Sequence, residues 1–346
     1  MNKELTVGPL LNENGHLYEC GYAKKLIKEY DRSAIKAPGF RIKEWDYYLI
    51  TTNDFAIAMT VDDNSYMGQE SASVLDFTGE PWEHTAGVMK FFTNGKVGLP
   101  PTSEKGNSCY NSKQVKLNFI NDGKTRHLTC DYKKFDGEND LMVDITLSDF
   151  PEESMVIATP WKDHPKHFYY NQKIIGMKAR GTATFRGKTY TFDETNNAYG
   201  LLDWGRGVWT YDNTWFWGAG QTELPGGHIF GFNIGYGFGD TSAASENMLF
   251  YDGKAHKLDL VSFNIPEKED GTDDFMSPWT FTSSDGRFEM DFAPILDRAA
   301  NVTVGPLGSD QHQVFGRFTG KAVLDDGTVI EVKDMLGFAE KVRNKW

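Results

Sequence analysis

The chain has 346 residues, a length typical of two domains, and its 49 acidic side chains outnumber the 36 basic ones to give a formal net charge of −13. An acidic chain without a long basic tract offers no row of contacts to phosphates, so we expect no nucleic-acid partner. No stretch approaches the roughly 20 apolar residues of a membrane span, and residues 1–15 lack the apolar core of a signal peptide. We therefore expect no membrane span and a cytoplasmic location.

The cysteine and histidine pattern predicts neither disulfide bonds nor a metal site. Cys20, Cys109 and Cys130 are odd in number and far apart in sequence, which is typical of reduced thiols. His164 and His167 stand close together, but no third imidazole or thiol lies near them in sequence, so they are interpreted as a surface pair. The expected metal content is none.

Aromatic residues are the most unusual part of the composition. They make up 14% of the chain, with 9 Trp, 15 Tyr and 24 Phe. Aromatic side chains favour pleated, half-buried surfaces, so many of them are expected in an ordinary β-sheet core. The remainder are available to line a pocket for an apolar or sugar-like ligand.

Period-two alternation of aliphatic and polar side chains predicts strands with one buried face. It is clearest in residues 141–148, and it recurs in 182–192, around Arg186-Gly187, and in 315–324. Helical periodicity is scarce: a short helix is expected over residues 23–30, and a weaker one over 334–343. Tight hairpins are indicated by eight Asn-Gly or Asp-Gly pairs, which begin at Asn14, Asn94, Asp122, Asp136, Asp252, Asp270, Asp285 and Asp326.

A boundary between two domains is expected near residue 165. Pro160 and Pro165 interrupt the segment 158–165 directly after a strand pattern. We therefore predict an N-terminal β domain over residues 1–165 and a C-terminal β domain over 166–346, with the functional site in the second. Strands and turns in close succession predict sandwiches or barrels for both.

The richest candidate site is the segment 202–217, in which Asp203 and Arg206 stand among four tryptophans. These candidate ligand contacts are Trp204, Trp209, Trp215 and Trp217. Large aromatic rings around a few polar groups are typical of small-molecule pockets. We expect them to line a cavity in the second half of the chain, with Arg206 as a further ligand-binding residue.

The next strand pattern, residues 228–236, continues the candidate site. Its odd positions place Asn233 between two glycines, and glycines on one strand face often mark the close approach of a ligand or of another backbone. Glu246 and Asn247 follow, a carboxylate and an amide that lead into an apolar strand. Asn233 and Asn247 are candidate ligand-binding residues, and Asp203 and Glu246 are candidate catalytic acids or bases.

Arg206 is expected to pair with Asp203, with Glu246 or with both, because an unpaired buried carboxylate costs several kcal/mol. Two interpretations stay open. The pair is either a structural salt bridge that holds strand ends, or the floor of a cavity in which a carboxylate acts as an acid, a base or a polar anchor. Asp46, a second acid among aromatic residues, is expected to border solvent or the domain seam.

Five short segments of the chain resemble a bacterial family catalogued as domain of unknown function 2804. They are residues 41–48 (RIKEWDYY), 202–209 (LDWGRGVW), 235–240 (GYGFGD), 245–247 (SEN) and 337–340 (GFAE). More distantly, that family is similar to the lipocalin-like superfamily of AttH-type proteins, carotenoid hydratases and fungal Diels–Alder cyclases. The resemblance implies an all-β fold of two lipocalin-like β-barrel or sandwich domains with little helix, an apolar cavity and no cofactor.

Three functions remain open at this point. The first is a cofactor-independent enzyme that hydrates, isomerises or cyclises an apolar or amphipathic small molecule, with Asp203 or Glu246 as proton donor. The second is a non-catalytic carrier of a lipid-like ligand, and the third is a protein that binds or cleaves carbohydrate. An unpaired carboxyl beside open volume favours the enzyme, whereas an Arg-locked carboxylate favours binding or scaffolding.

Overall fold

The computed structural model describes residues 2–346, apart from the side chain of Val304. Helix is limited there to three short 3-10 segments, Arg32–Ala34, Gly39–Arg41 and Glu194–Asn196. The strands are β1 (Gly8–Pro9), β2 (Gly21–Ala23), β3 (Lys28–Glu29), β4 (Ile42–Thr51), β5 (Phe55–Asp63), β6 (Met67–Asp76), β7 (Trp82–Phe91), β8 (Gly106–Asn111), β9 (Val115–Asn121), β10 (Arg126–Tyr132), β11 (Leu141–Ser148), β12 (Met155–Trp161), β13 (His164–Phe185), β14 (Lys188–Phe192), β15 (Tyr199–Val208), β16 (Asp212–Glu223), β17 (Ile229–Tyr236), β18 (Met248–Tyr251), β19 (Lys254–Lys257), β20 (Val261–Asn264), β21 (Trp279–Ser283), β22 (Phe288–Val304), β23 (Leu307–Val323) and β24 (Val329–Lys345). No helix among the described residues is long and apolar enough to cross a membrane.

The strands form two large curled sheets and one small one. The first large sheet has the order β7-β6-β5-β4-β15-β13-β11-β10-β9-β8, and β12, β14 and β2 extend it beside β13. The second has the order β19-β18-β17-β16-β24-β23-β22-β21-β20, and β1 pairs with β3 in a separate parallel ladder. The predicted all-β class, with two barrel-like sheets and little helix, is confirmed.

Local patterns explain many of these elements. The alternating segment 141–148 is strand β11, and its aliphatic positions are buried as predicted. The turn at Arg186-Gly187 joins β13 to β14 with φ angles of +50° and +72°, as a tight hairpin requires. The two predicted helices are wrong. Residues 23–30 contain the last residue of β2 and the whole of β3. Residues 334–343 lie inside β24, where pairing with β16 and β23 on its two sides overrides weak helical periodicity.

The two sheets do not divide at residue 165, where the domain boundary was predicted. Lys162 and Asp163 form a two-residue turn between β12 and β13, and Trp161 pairs with His164 across it. The prolines on either side of that turn therefore mark a hairpin. The chain leaves the first sheet after Val208 and enters the second at Asp212.

Three hydrophobic cores follow from this arrangement: one inside each curled sheet and one between them. The core between the sheets contains Trp209, Trp217 and Phe238. Strand β15 contributes to two of the cores, because successive side chains of a strand point to opposite faces. Its even positions, including Trp204, lie inside the first sheet, and its odd positions face the second sheet.

Candidate functional site

A cavity of about 280 Å³ lies between the two sheets. Side chains of β4, β5, β6, β13 and β15 line it from the first sheet, and side chains of β16, β22, β23 and β24 line it from the second. The candidate site was predicted inside the second half of the chain. The prediction that the second half alone forms the cavity is wrong. Phe and Trp side chains fill the interior of the second curled sheet, and the cavity lies where that sheet meets the first.

Aromatic rings form much of the cavity wall. Phe238 is central to it, with ring centroids 4.9 Å from Tyr169, 5.2 Å from Trp209 and 5.2 Å from Trp215, all edge to face. The Trp45 ring lies directly against β15, where a Cβ atom on Gly205 would stand 2.0 Å from it. Glycine at that position is therefore required for the close approach of the ring. The tryptophans of the wall are Trp45, Trp209, Trp215, Trp217 and Trp346.

A buried ion pair crosses the floor of the cavity. Lys173 Nζ lies 2.8 Å from Asp203 Oδ2, and the two side chains are 3% and 9% exposed. Asn171 Nδ2 donates to the other carboxylate oxygen of Asp203 at 2.6 Å. The Lys173 ammonium also lies 3.7 Å from the centre of the Trp217 ring, a favourable cation–π geometry. Two donors, Lys173 and Asn171, thus fix the position of the Asp203 side chain.

Glu246 reaches the cavity from the segment between β17 and β18. Asn233 Nδ2 donates to Glu246 Oε2 at 3.2 Å, and no basic side chain of residues 2–346 lies within ion-pair distance of this carboxyl group. A Cβ atom on Gly235 would stand 2.8 Å from Glu246 Oε1, so this glycine leaves room for the carboxyl group. Burial raises the pKa of Glu246 above its usual range, against the opposing effects of the nearby Lys173 charge and the Asn233 hydrogen bond.

Glu340 is a third carboxyl group at the cavity. Trp215 Nε1 donates to its Oε1 at 3.1 Å, and Gln313 Nε2 donates to its Oε2 at 3.0 Å. Burial nevertheless raises the pKa of Glu340 to about 7, because these neutral donors and the more distant Lys173 compensate only part of the lost hydration. Lys173 is thus ion-paired with Asp203 and acts at longer range on Glu246 and Glu340, which both bind protons more tightly than usual.

The raised pKa of Glu340 predicts a pH dependence of stability. Below about 4.5, the value in an unstructured chain, both states are protonated; between 4.5 and about 7 only the folded protein keeps the proton, so the free energy of unfolding falls as the pH rises. The total loss is on the order of 3 kcal/mol. Urea denaturation across this range measures it, and Glu340→Gln is expected to flatten the profile. Parallel profiles for the two proteins would contradict the assignment.

Arg206 and Trp204 lie on the opposite face of β15, inside the first sheet. Arg206 Nη2 donates to Asp46 Oδ1 at 3.0 Å, and the guanidinium lies 4.3 Å from the centre of the Trp204 ring. The predicted pairing of Arg206 with Asp203 or Glu246 is wrong, as is the solvent-facing placement of Asp46, which is 7% exposed. Strand alternation was the available signal, since positions 203 and 206 of one strand point to opposite faces.

Of the other predicted site residues, five line the cavity and two lie behind the wall and hold its side chains in place. Asp203, Glu246, Trp209, Trp215 and Trp217 line the cavity. Asn233 lies behind them, where its Oδ1 accepts from Trp217 Nε1 at 2.7 Å and its amide holds Glu246. Asn247 accepts from the backbone N–H of residue 235 at 2.7 Å and donates to the carbonyl of residue 259, so it supports the loop that carries Glu246.

Sequence reasoning missed several polar and aromatic contributors to the cavity, among them Lys173, Glu340 and Tyr169. Tyr169 and Lys173 lie in the long strand β13, where no motif distinguishes them. Glu340 belongs to the family-like segment 337–340, and nothing else in the sequence around it indicates a site. No group of three or more His, Cys, Asp or Glu side chains in the described part of the chain is arranged to hold a metal ion, and His164 and His167 pack edge to face.

Comparison with known proteins finds similar structures and one family. Kievitone hydratase from Nectria haematococca is 13% identical over 88% of each chain, with a TM-score of 0.44. A protein assigned as AttH from Nitrosomonas europaea is 12% identical over 90% of this chain and 96% of its own, and CghA is 12% identical over 99% and 97%; both have a TM-score of 0.49. No curated protein matches the chain. Since the model of one family matches residues 2–346, the chain belongs to the family described as "Domain of unknown function (DUF2804)".

Proposed function

We propose that this protein binds an apolar or amphipathic small molecule in the cavity between its sheets and transforms it by proton transfer, without a cofactor, as a hydratase or isomerase. The observation that carries the proposal is Glu246. It faces the cavity with one carboxyl oxygen free of protein donors, it has no ion-pair partner among residues 2–346, and burial raises its pKa. A carboxyl group whose pKa is raised by burial holds its proton to higher pH than an exposed one, which suits it to act as a general acid.

The walls of the cavity support an apolar substrate body. Tryptophan and phenylalanine rings bury large areas of ligand without requiring polar partners. Their electron-rich faces also favour positive charge, as the position of Lys173 over Trp217 illustrates. A carbocation formed next to these rings would be stabilised in the same way.

Two carboxyl groups at the cavity floor, Glu246 and Asp203, are assigned the roles of proton donor and proton acceptor. Glu246 donates its proton to a carbon–carbon double bond, which leaves a cation on the adjacent carbon. Water then adds to that carbon and releases a proton to Asp203, whose carboxylate is held in place by Lys173 and Asn171. In an isomerisation, Asp203 instead removes a proton from the neighbouring carbon. The proton lost by Glu246 and the proton gained by Asp203 balance, and exchange with solvent restores both groups.

Isotope incorporation tests this function with a mixture of candidate substrates. Small molecules extracted from the host are incubated with the protein in heavy-oxygen water and, separately, in deuterium oxide, and the products are compared by high-resolution mass spectrometry. We expect at least one compound to gain solvent oxygen or deuterium. Glu246→Gln should slow that conversion by about a hundredfold or more. Glutamine keeps the shape of the side chain, but its amide group is not acidic enough to protonate a double bond.

Glu269→Gln, on an exposed loop, is the matched control and should leave the conversion unchanged. Native mass spectrometry of protein purified from its own host identifies any retained ligand. A retained ligand that neither protein converts would contradict the enzyme and indicate a carrier. Equal conversion by wild type and Glu246→Gln would remove the carboxyl group from the mechanism.

A further inference from the structure

Lys43, on β4, is a buried amine that the proposed proton transfer does not use. Its side chain has no exposed surface, and no carboxylate within residues 2–346 lies at ion-pair distance from its Nζ. Within the described part of the chain, Nζ has one hydrogen-bond partner, Tyr66 Oη, at 3.1 Å. Burying a charged lysine without a counter-ion is costly. Such a lysine therefore tends to lose its proton and become a neutral amine.

Three aromatic rings surround this amine. Nζ lies 4.5 Å from the ring centre of Tyr66, 4.8 Å from that of Trp346 and 5.4 Å from that of Trp209. Trp209 and Trp346 also form part of the cavity wall. Lys43 shares the strand face of Trp45, another wall residue, because the two are two positions apart on β4. The amine therefore stands directly behind the aromatic wall of the cavity.

Desolvation favours the neutral form of Lys43, against the cation–π attraction of the three rings for the ammonium. Burial lowers the pKa of Lys43 to about 7, and the nearby Arg41 charge acts in the same direction, whereas Asp62 opposes it. About half of the Lys43 side chains are then free amines at pH 7, compared with well under one in a thousand for a lysine of ordinary pKa. Desolvation and a neighbouring cation are the two conditions that activate a lysine as a nucleophile.

We propose that Lys43 forms a reversible imine with an aldehyde or ketone group of a small molecule bound in the cavity. The Nζ lone pair attacks the carbonyl carbon and the C=O π bond breaks. A proton moves from nitrogen to oxygen to give a carbinolamine. Loss of the hydroxyl group and a second nitrogen proton as water then leaves the C=N bond. The Trp346 ring, which is partly exposed, lines the cavity and has its centre 4.8 Å from Nζ, is the part of the wall that has to turn for a ligand to reach the amine.

Two neighbouring groups are placed to assist this step. The Tyr66 hydroxyl is within hydrogen-bond distance of Nζ and stays protonated, since burial raises its pKa well above neutrality. Asp62 lines the cavity from β5 and accepts a hydrogen bond from the backbone N–H of Gln69 at 2.7 Å; burial raises its pKa to about 8, and its protonated form can supply a proton to the departing water. Lys43, Tyr66 and Asp62 form a second reactive site, which requires neither Glu246 nor Asp203.

Reductive trapping tests the proposal with benzaldehyde, a small aromatic aldehyde suited to the cavity walls. The protein is incubated with benzaldehyde and cyanoborohydride at pH 7, and modified lysines are located by peptide mass spectrometry. We expect Lys43 to be labelled faster than any exposed lysine, with a rate that rises between about pH 6 and 8. The site is read from the wild-type protein, so the result stands even if Lys43→Met fails to fold.

Two other lysines, the half-buried Lys257 and the buried Lys173, are internal controls. Lys257 also has a pKa lowered to about 7 by burial, but its Nζ holds three hydrogen bonds and its side chain lies outside the cavity wall. Lys173 lines the cavity but is ion-paired. Neither should be labelled. Labelling confined to exposed lysines, or equal labelling of Lys43 and Lys257, would overturn the proposal. Glu246→Gln should still be labelled at Lys43, so failure of the proton-transfer function and failure of the imine are distinguishable.

Discussion

Replacing Arg206 with Met is expected to lower the free energy of unfolding by about 3 to 5 kcal/mol, because it leaves the Asp46 carboxylate buried without a cation. The Arg206 side chain is wholly buried and donates to the carbonyl oxygens of Trp45 and Pro100 at 2.7 and 2.8 Å, besides its contact with Asp46. Methionine keeps much of the volume but none of the donors. The substitution therefore loosens the segment that carries Pro100 as well as the ion pair.

Urea denaturation of three proteins separates these effects. Adding Asp46→Asn to Arg206→Met removes the unpaired charge and should recover part of the loss. Arg343→Met is the matched control, since Arg343 pairs with Asp212 on the surface at 2.9 Å and exposed pairs contribute little. Equal midpoints for Arg206→Met and Arg343→Met would show that the buried pair has no structural role.

Replacing Lys173 with Met is expected to cost a similar amount, about 3 to 5 kcal/mol, but at the cavity. Asp203 would keep only the Asn171 donor, next to two further carboxyl groups. Loss of the Lys173 charge should also raise the pKa of Glu246 and of Glu340, since that charge now acts to lower both. Stability should therefore depend more steeply on pH than in the wild type, and should fall further as the pH rises.

A double substitution identifies the source of this loss. Lys173→Met with Asp203→Asn removes both charges of the pair and should be more stable than Lys173→Met alone. Lys133→Met is the control on the surface, where Lys133 bridges Asp131 and Asp140. If Lys173→Met unfolds at the same urea concentration as Lys133→Met at every pH, the floor of the cavity is not held by this ion pair.

The two ion pairs on β15 have different consequences for function. Arg206 with Asp46 lies inside the first sheet, away from the cavity, and acts as a structural lock. Lys173 with Asp203 lies on the cavity floor, beside two carboxyl groups without cations. Among the described residues, no arginine forms an ion pair with a carboxyl group of the cavity, which is consistent with the proton transfer proposed above.

The fold class was predictable because its signals are local. Alternation in residues 141–148 and the turn at Arg186-Gly187 depend on the side-chain period of a strand and on the φ angles of a hairpin, which neighbouring residues specify whatever the partner strands are. Three of the four tryptophans predicted from 202–217, together with Asp203 and Glu246, line the cavity, whereas Trp204 lies inside the first sheet. The predicted domain boundary was wrong because Pro160 and Pro165 are also a local signal. They indicate a turn, but they do not show whether that turn separates two domains or, as here, joins two strands of one hairpin.

The partners of the charged groups depended on pairings between distant strands. Arg206 meets Asp46 across 160 positions of sequence, and Glu340 meets Trp215 across 125. Lys173 faces Asp203 because β13 lies beside β15 in that register, and a shift of one residue would turn every side chain of the strand to the other face. No period within a segment encodes such a register. The contents of the cavity could therefore be guessed from composition, whereas its position between the sheets and its charge balance followed from the packing of one sheet against the other.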